Sequence, residues 1–220
     1  MRKVVAGVFV TLDGIMQAPG GPDEDPTGGF RHGGWTAAYW HESMGEVIDG
    51  MMAAPFDLLL GRRTYEIFAA HWPHAGDDPI ARKFNAAVKY VATSSPEALG
   101  WRNSVALQGD VAAEIARLKR EDGPNLLVQG SSVLFRTLFA HDLVDELSLF
   151  VVPIVLGAGK RLFGPGASPA AFRLTGSRTA PTGVVMSSYV RSGEVATGSF
   201  AMDPPTEAEV ARRQRILQEG

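Results

Sequence analysis

Two adjacent arginines stand where an apolar stretch of this chain gives way to a helical pattern. Residues 56–60 have the composition of a strand, and they are followed directly by Gly61, Arg62, Arg63 and Thr64. Glycine allows the backbone to approach a ligand closely, and the first turn of a helix offers unpaired N–H groups that suit a phosphate. Guanidinium groups bind phosphate oxygens two at a time. The pattern predicts a nucleotide-phosphate site, with surface arginines on a strand–turn–helix as the alternative.

Small hydroxyl side chains follow two further strand-like stretches. Residues 88–92 lead into Thr93, Ser94 and Ser95, and residues 125–129 lead into Gly130, Ser131 and Ser132. In open α/β sheets, ligands lie at the carboxyl ends of the strands, and a serine here can also cap the following helix. If the three strands are neighbours, we expect their ends to line one extended groove.

Other motifs are incomplete. Residues 157–160 resemble part of a phosphate loop, but Ile154 and Arg161 stand where that motif needs its first glycine and its Ser or Thr. The three-glycine dinucleotide fingerprint does not follow the first strand, and Ser131 lies outside a nucleophile-elbow pattern. The histidines and aspartates of residues 71–78 favour a polar loop over a metal site, because no second cluster completes the ligand set. We therefore predict no metal.

Composition narrows the class of protein. The chain has 220 residues, 45% of them hydrophobic and 20% charged, with a net charge of −3 and no cysteine. This is typical of a globular protein large enough to bury a sizeable core. The charge gives no reason to expect nucleic acid or a membrane as partner. The apolar run near the N-terminus is too short for a membrane span, and the lack of cysteine suits a reducing compartment, so we expect a cytoplasmic protein.

Helices alternate with strands through the first two thirds of the chain, and strands then follow one another. Strands are predicted at about residues 3–10, 56–60, 88–92, 104–107, 125–129, 145–152, 172–179 and 183–191. The first is apolar almost throughout, which is typical of a central strand covered on both faces. Helices are predicted from Thr36 to about Ala53, from Arg62 to about Ala70, and after Asp110, Gly130 and Thr206. The order predicts a mixed sheet, parallel at the centre and antiparallel at one side.

Two segments stand apart from this alternation. Residues 13–35 are rich in glycine and proline, and so long a loop is usually functional or mobile. Residues 206–219 form a helical pattern with a thin apolar face, so we divide the chain into a domain at 1–200 and an appended C-terminal helix at 201–220.

The motifs together resemble the dihydrofolate reductase superfamily. Residues 10–14, 58–66 and 91–95 carry this resemblance. A second set is similar to the C-terminal reductase domain of the bifunctional riboflavin-biosynthesis deaminase–reductase and its stand-alone relatives, and it comprises residues 129–134, 143–147, 152–153 and 156–163. The resemblance covers about residues 1–192.

The resemblance implies a three-layer α/β fold like that of dihydrofolate reductase. Helices would flank both faces of a mainly parallel central sheet with antiparallel C-terminal strands. It also implies NADPH as cofactor, lying across the strand ends. Its expected contacts are Gly14 near the nicotinamide; Gly61, Arg62, Arg63 and Thr64 at the pyrophosphate and 2′-phosphate; Thr93, Ser94 and Ser95 at the adenosine; and Gly130, Ser131, Ser132, Val133 and Leu134 at the pyrophosphate and ribose.

On the substrate side, the resemblance implies Asp13 and an acid on the helix before the arginine strand. Glu46 and Asp49 are the candidates for that acid, with a solvated helix face as the alternative. We predict Asp13 and Glu46 as catalytic residues of an NADPH-dependent reductase. The acceptor would be a small heterocycle, such as a pterin or a ribosylamino-pyrimidine, or a carbonyl or imine. The alternatives are 5-amino-6-(5-phosphoribosylamino)uracil reductase and a nucleotide-binding protein without catalysis.

Two predictions concern larger-scale behaviour. Residues 13–35 are expected to be a mobile cover over the nicotinamide end, with Phe30 and Trp35 as apolar contacts on closure. A homodimer is expected through the C-terminal β region and the apolar residues 147–156, as in similar family members. The alternative for residues 147–156 is a fully buried central strand.

Overall fold

The computed structural model describes residues 1–164 and 167–219, and its centre is one eight-stranded sheet. The strands are β1 (Val4–Thr11), β2 (Phe56–Gly61), β3 (Lys89–Ala92), β4 (Ser104–Leu107), β5 (Asn125–Gln129), β6 (Glu146–Val152), β7 (Phe172–Thr179) and β8 (Val185–Arg191). They lie in the order β4-β3-β2-β5-β1-β6-β8-β7. The first six strands in this order pair in parallel, whereas β8 and β7 pair antiparallel. The predicted fold class is therefore confirmed.

Strand β1 occupies the interior of the sheet, as its apolar sequence predicts. Its residue Ala6 pairs with Val128 of β5 on one side and with Leu147 of β6 on the other. The even-numbered side chains of β1 are buried in one cluster, and the odd-numbered ones contribute to clusters on the opposite face. Both faces of this strand are thus covered, which explains why polar and apolar residues do not alternate along it as they do in a strand with one solvent-exposed face.

Helices cover both faces of the sheet. They are α1 (Glu42–Met51), α2 (Arg62–His71), α3 (Pro79–Ala86), α4 (Val111–Arg120), α5 (Ser132–Ala140) and α6 (Glu207–Glu219). Helices α4 and α5 pack with the even side of β1 in one cluster. Helices α1, α2 and α3 contribute to the clusters on the other side, which we call the front face. This is the three-layer arrangement expected of the fold.

The first helix begins later than predicted. The Thr36 hydroxyl donates to the Pro19 carbonyl at 2.6 Å instead of capping a helix, and a short 3-10 turn follows at Ala37–Tyr39. Helix α1 begins at Glu42, where the His41 ring accepts from the Ser43 amide. The prediction at Thr36 was wrong because a long-range partner took the hydroxyl that local rules assign to a cap.

Helix α3 was missed, because residues 71–79 were interpreted as a loop. Asp78 caps it by accepting from the amides of Ile80 and Ala81 at 2.7 and 2.9 Å, and Pro79 is its first residue. An Asp–Pro pair is a strong helix-start signal. The signal was masked by the polar and glycine residues just before it. The cap predicted at Asp110 is confirmed: its side chain accepts from the Ala113 amide at 3.0 Å at the start of α4.

The apolar residues 147–156 contain a buried strand rather than an open surface. Strand β6 lies between β1 and β8, and its Leu147 and Phe150 are each 2% exposed. The alternative of a central buried strand is thus correct for residues 147–152. Strand β7, at the sheet edge, is exposed over most of its length. Homodimer formation itself stays a prediction.

The C-terminal helix α6 is exposed along its length, and the Thr206 hydroxyl accepts from the Glu209 amide at its start at 3.3 Å. The division of the chain at residue 200 stays a prediction. Within residues 1–164 and 167–219, no helix has both the length and the apolar character needed to cross a membrane.

Candidate functional site

A cavity of about 1380 Å³ opens at the carboxyl ends of β2, β3 and β5 and continues onto the front face of β1. It is larger than the usual pocket for one small molecule, which measures roughly 300–1,000 Å³. Most of the predicted cofactor residues lie on its wall: Gly61, Arg62, Arg63, Thr64, Thr93, Ser94, Gly130, Ser131, Ser132, Val133 and Leu134. The structure therefore brings all three predicted strand ends into one groove, because β3, β2 and β5 are neighbours in the sheet.

The turns after β2 and β5 are interlocked. A side chain at Gly61 would overlap the Ser131 hydroxyl, and a Cβ at Gly130 would lie 3.3 Å from the Thr64 side chain. Gly130 and Ser131 both have left-handed backbones, with φ of 77° and 70°. A left-handed serine is strained and is retained where its surroundings fix the backbone. The two turns thus form one rigid unit at the centre of the groove.

The first turn of α2 is open to a ligand. Helices α3, α4 and α5 are each capped by the side chain that precedes them, from Asp78, Asp110 and Ser131. The corresponding residue of α2 is Gly61, which has no side chain to accept from the first amides. These amides and the positive end of the helix dipole face the groove, which is a favourable arrangement for a phosphate.

The two arginines extend the positive charge of this turn. Arg62 pairs with Glu66 at 2.5 Å, one turn along α2. Arg63 donates to the Thr27 hydroxyl at 2.9 Å and lies 3.9 Å from the Asp25 carboxylate. Both guanidinium groups are about half exposed, so these pairs are weak and can be exchanged for a ligand's oxygens.

Residues 17–27, which we call the strap, pass over the groove from the β1 side. Gln17 holds the strap folded by donating to the carbonyls of Asp25 and Thr27, each at 2.9 Å. Lys160, on the segment after β6, donates to Thr27 at 2.8 Å and pairs with Asp25. Because Arg63 binds the same two strap residues, the strap is fastened on both sides of the groove.

Two carboxylates of the strap, Glu24 and Asp25, have shifted pKa values. Burial would raise the pKa of Asp25, but the bonds from Lys160 and Thr27 outweigh it and hold this pKa below its ordinary value. Burial raises the pKa of Glu24 and outweighs the amides of Gly20 and Gly21, which donate to its carboxylate and lower the pKa. Both residues lie on the cavity wall. The strap therefore presents one firmly ionised carboxylate and one that takes up a proton more easily.

The two predicted catalytic acids, Asp13 and Glu46, are not among the described residues that form the cavity wall. Asp13 accepts from the amides of Leu156 and Gly157 at 3.2 and 2.9 Å, and the Thr11 hydroxyl holds its pKa below the ordinary value. Glu46 pairs with Arg178 of β7 at 2.5 Å. The contacts give each acid a structural partner, and their catalytic roles stay predictions.

Two predicted cofactor residues also lie beside the cavity rather than on its wall. Gly14 has a left-handed backbone with φ of 77° and donates to the Thr11 carbonyl at 2.9 Å. Ser95 donates its amide to the Thr93 hydroxyl at 3.0 Å. Both shape the turns that carry wall residues.

Sequence reasoning missed the apolar part of the wall and the two ends of the strap. The apolar part is formed by side chains of β1, α1, α2 and the turn just after α2, which include Phe9, Ile48, Met51, Phe68 and Trp72. The sequence signals for this apolar wall were the core spacing of apolar residues along α1 and the apolar residues at odd positions of β1. In residues 1–164 and 167–219, no three His, Asp or Glu side chains gather as a metal site would require.

Comparison with known proteins agrees with this architecture. The uncharacterized protein YwjB of Bacillus subtilis (strain 168) is 28% identical over 179 residues, which are 80% of this chain and 91% of that protein. A dihydrofolate reductase of Enterococcus faecalis complexed with NADP(H) has a TM-score of 0.55 at 15% identity, covering 86% of this chain and 96% of that one. The deaminase and 5-amino-6-(5-phosphoribosylamino)uracil reductase of Thermotoga maritima has a TM-score of 0.55 at 16% identity, covering 87% of this chain and 57% of that one. The family model described as the RibD C-terminal domain matches residues 2–186, and the chain belongs to that family.

Proposed function

We propose that this protein is an NADPH-dependent reductase that transfers hydride to a small heterocyclic, carbonyl or imine acceptor. The observation that carries the proposal is the open first turn of α2, which is interlocked with the Gly130–Ser131 turn and flanked by Arg62 and Arg63. The dihydrofolate reductase of similar fold, which is complexed with NADP(H), supports the choice of cofactor.

The residues present fit a phosphorylated dinucleotide. Gly61 places no side chain against the first amides of α2, and these amides and the arginines offer donors to phosphate oxygens. Thr93 and Ser94 extend the groove with hydroxyl groups along the neighbouring strand end. When bound, NADPH supplies the hydride. The chain itself holds the cofactor on a rigid pair of turns, and the strap excludes water from above.

A binding experiment tests the cofactor site. Gly61→Ala places a methyl group against the Ser131 hydroxyl, and we expect NADPH affinity to fall roughly tenfold or more by calorimetry. Gly50→Ala is the matched control, because a Cβ at this position of α1 meets open space. Equal losses in both variants, or a wild-type protein that binds no NADPH, would refute the proposal.

Turnover separates the remaining alternatives. The wild-type protein is mixed with NADPH and a panel of pterins, ribosylamino-pyrimidines and ring carbonyls, and loss of NADPH absorbance is followed. Reduction of 5-amino-6-(5-phosphoribosylamino)uracil would favour the riboflavin-pathway alternative. Cofactor binding without consumption against any acceptor would favour a nucleotide-binding protein without catalysis.

A further inference from the structure

The front-face part of the cavity forms a distinct chamber, which we define by Phe9, Ile48, Met51, Phe68 and Trp72. Ile48 and Met51 pack against both front-face clusters and so join the β1 side of the chamber to the α2 side. All five side chains are only half-buried although they face inward. Half-buried apolar surface inside a cavity favours an apolar occupant, because binding removes this surface from water.

Among the residues that the structure describes, helix α1 contributes only apolar side chains to the chamber. Its contributions to the cavity wall are Ile48 and Met51. Its acids point elsewhere: Glu46 pairs with Arg178, and Asp49 is exposed. On the α1 side, a ring with several N–H donors would therefore lose its hydration without a carboxylate to replace it.

The ionisable side chains of the described cavity wall lie around the strap and at the two ends of α2. They are Asp23, Glu24, Asp25, Arg62, Arg63, His71 and Lys160. The cations lie along the groove and the strap rather than among the five chamber residues: Arg62 and Arg63 are assigned to the cofactor phosphates, and Lys160 pairs with Asp25 of the strap. His71, at the far end of α2, stacks edge-on against Trp72 at 4.8 Å. A phosphorylated acceptor would thus meet apolar groups where it needs charge.

We propose that the chamber binds an uncharged, largely apolar ring carbonyl compound as the acceptor, rather than a pterin or a phosphorylated ribosyl-pyrimidine. This inference rests on the proposed reductase function. In the reaction, the C=O of the acceptor becomes CH–OH. The carbon gains hydride as the C4–H bond of NADPH breaks, the oxygen gains a proton from water, and NADP⁺ remains.

Calorimetric titration with three probes tests the chamber. The protein is saturated with NADP⁺ and titrated with menadione, folate and uridine 5′-monophosphate. We expect menadione to bind at least tenfold more tightly than either charged probe. Ile48→Asp places a carboxylate on the chamber wall and should weaken menadione at least tenfold with NADP⁺ affinity unchanged. Gly50→Ala, on the same helix with open space around the new Cβ, should leave both affinities unchanged.

A second variant guards against misfolding of Ile48→Asp. Ile48→Ala removes apolar contact from the chamber without adding a charge, so it should keep the fold and weaken menadione at least threefold. The inference is overturned if folate or uridine 5′-monophosphate binds as tightly as menadione, or if both variants bind menadione like the wild type. If NADP⁺ does not bind, the proposed function fails, while titration of the free protein still decides which ligand class the chamber prefers.

Discussion

Replacing Arg63 by alanine should lower the affinity for NADPH and leave the affinity for NADH nearly unchanged. Arg63 is half exposed, and its present contacts are one hydrogen bond to Thr27 at 2.9 Å and a distant pairing with Asp25 at 3.9 Å. Such an exposed contact contributes under about 1 kcal/mol. A charge-assisted bond to the 2′-phosphate contributes roughly 1.5–3 kcal/mol.

The difference between the energy of the phosphate contact and that of the strap contact sets the size of the expected effect. Giving up the strap contact to bind a phosphate leaves a net gain of about 1–2 kcal/mol, which corresponds to roughly five- to thirtyfold in affinity. NADH lacks the 2′-phosphate, so its affinity should change by less than about twofold. Arg62→Ala should behave in the same way, because its exposed pair with Glu66 is equally weak.

Calorimetry of both cofactors at one fixed ionic strength measures the effect, since exposed charges are screened by salt. Arg82→Ala is the matched control, as this exposed arginine of α3 pairs with Asp77. The reasoning is refuted if wild-type protein binds the two cofactors equally. It is also refuted if both Arg62→Ala and Arg63→Ala keep the NADPH preference.

Three other predictions concern the strap, a buried lysine and the oligomeric state. Backbone amides of the strap should exchange hydrogen faster than those of β1 and become protected when NADPH binds. Asp25→Asn removes the ion pair with Lys160 and should speed this exchange. Strong protection of the strap without ligand would contradict a mobile cover. Burial lowers the pKa of Lys89 to about 8, so above that pH the unfolded chain binds more protons than the folded one. The free energy of unfolding should therefore rise from about pH 8 to pH 10. Denaturant titrations should show this rise in the wild type and lose it in Lys89→Met. Light scattering should show a dimer that the exposed-site variant Leu174→Asp dissociates without unfolding, and a monomer of 23.5 kDa in the wild type would end this prediction.

The dimer test differs from the one that the sequence suggests. The sequence prediction places the dimer contact on residues 147–156, and an aspartate at Phe150 or Val152 in this range would be the direct test. In the structure both are buried in β6, so a charge there would unfold the chain rather than separate two copies. Leu174 on the edge strand β7 is 51% exposed and provides a test that the fold tolerates.

The parts of the fold that could be predicted depend on short-range rules. Strand β4 and helix α4 were predicted at their observed positions, because an apolar run and the Asp110 cap are local signals. The groove was predictable because parallel strands end at one edge of the sheet. The start of α1 was not, since the Thr36 hydroxyl binds a carbonyl 17 residues away.

The contacts that fasten the strap and the shape of the chamber could not be predicted for the same reason. Lys160 meets Asp25 across 135 residues of sequence, and Arg63 meets Thr27 across 36. No local pattern specifies such a pair. The chamber combines odd positions of β1 with one face of α1, and each alone has the periodicity of ordinary core.

The order of the strands also governs how the chain can assemble. Strand β1 is synthesised first, yet its two partners are β5 and β6, which end at residues 129 and 152. The N-terminal strand therefore waits, with both edges unpaired, until more than half of the chain has been made. Parallel pairing over such separations folds slowly, and exposed apolar edges are sites of aggregation. A fragment that ends before Asn125 should accordingly precipitate or recruit chaperones, whereas one that extends through β8 contains every strand that β1 needs.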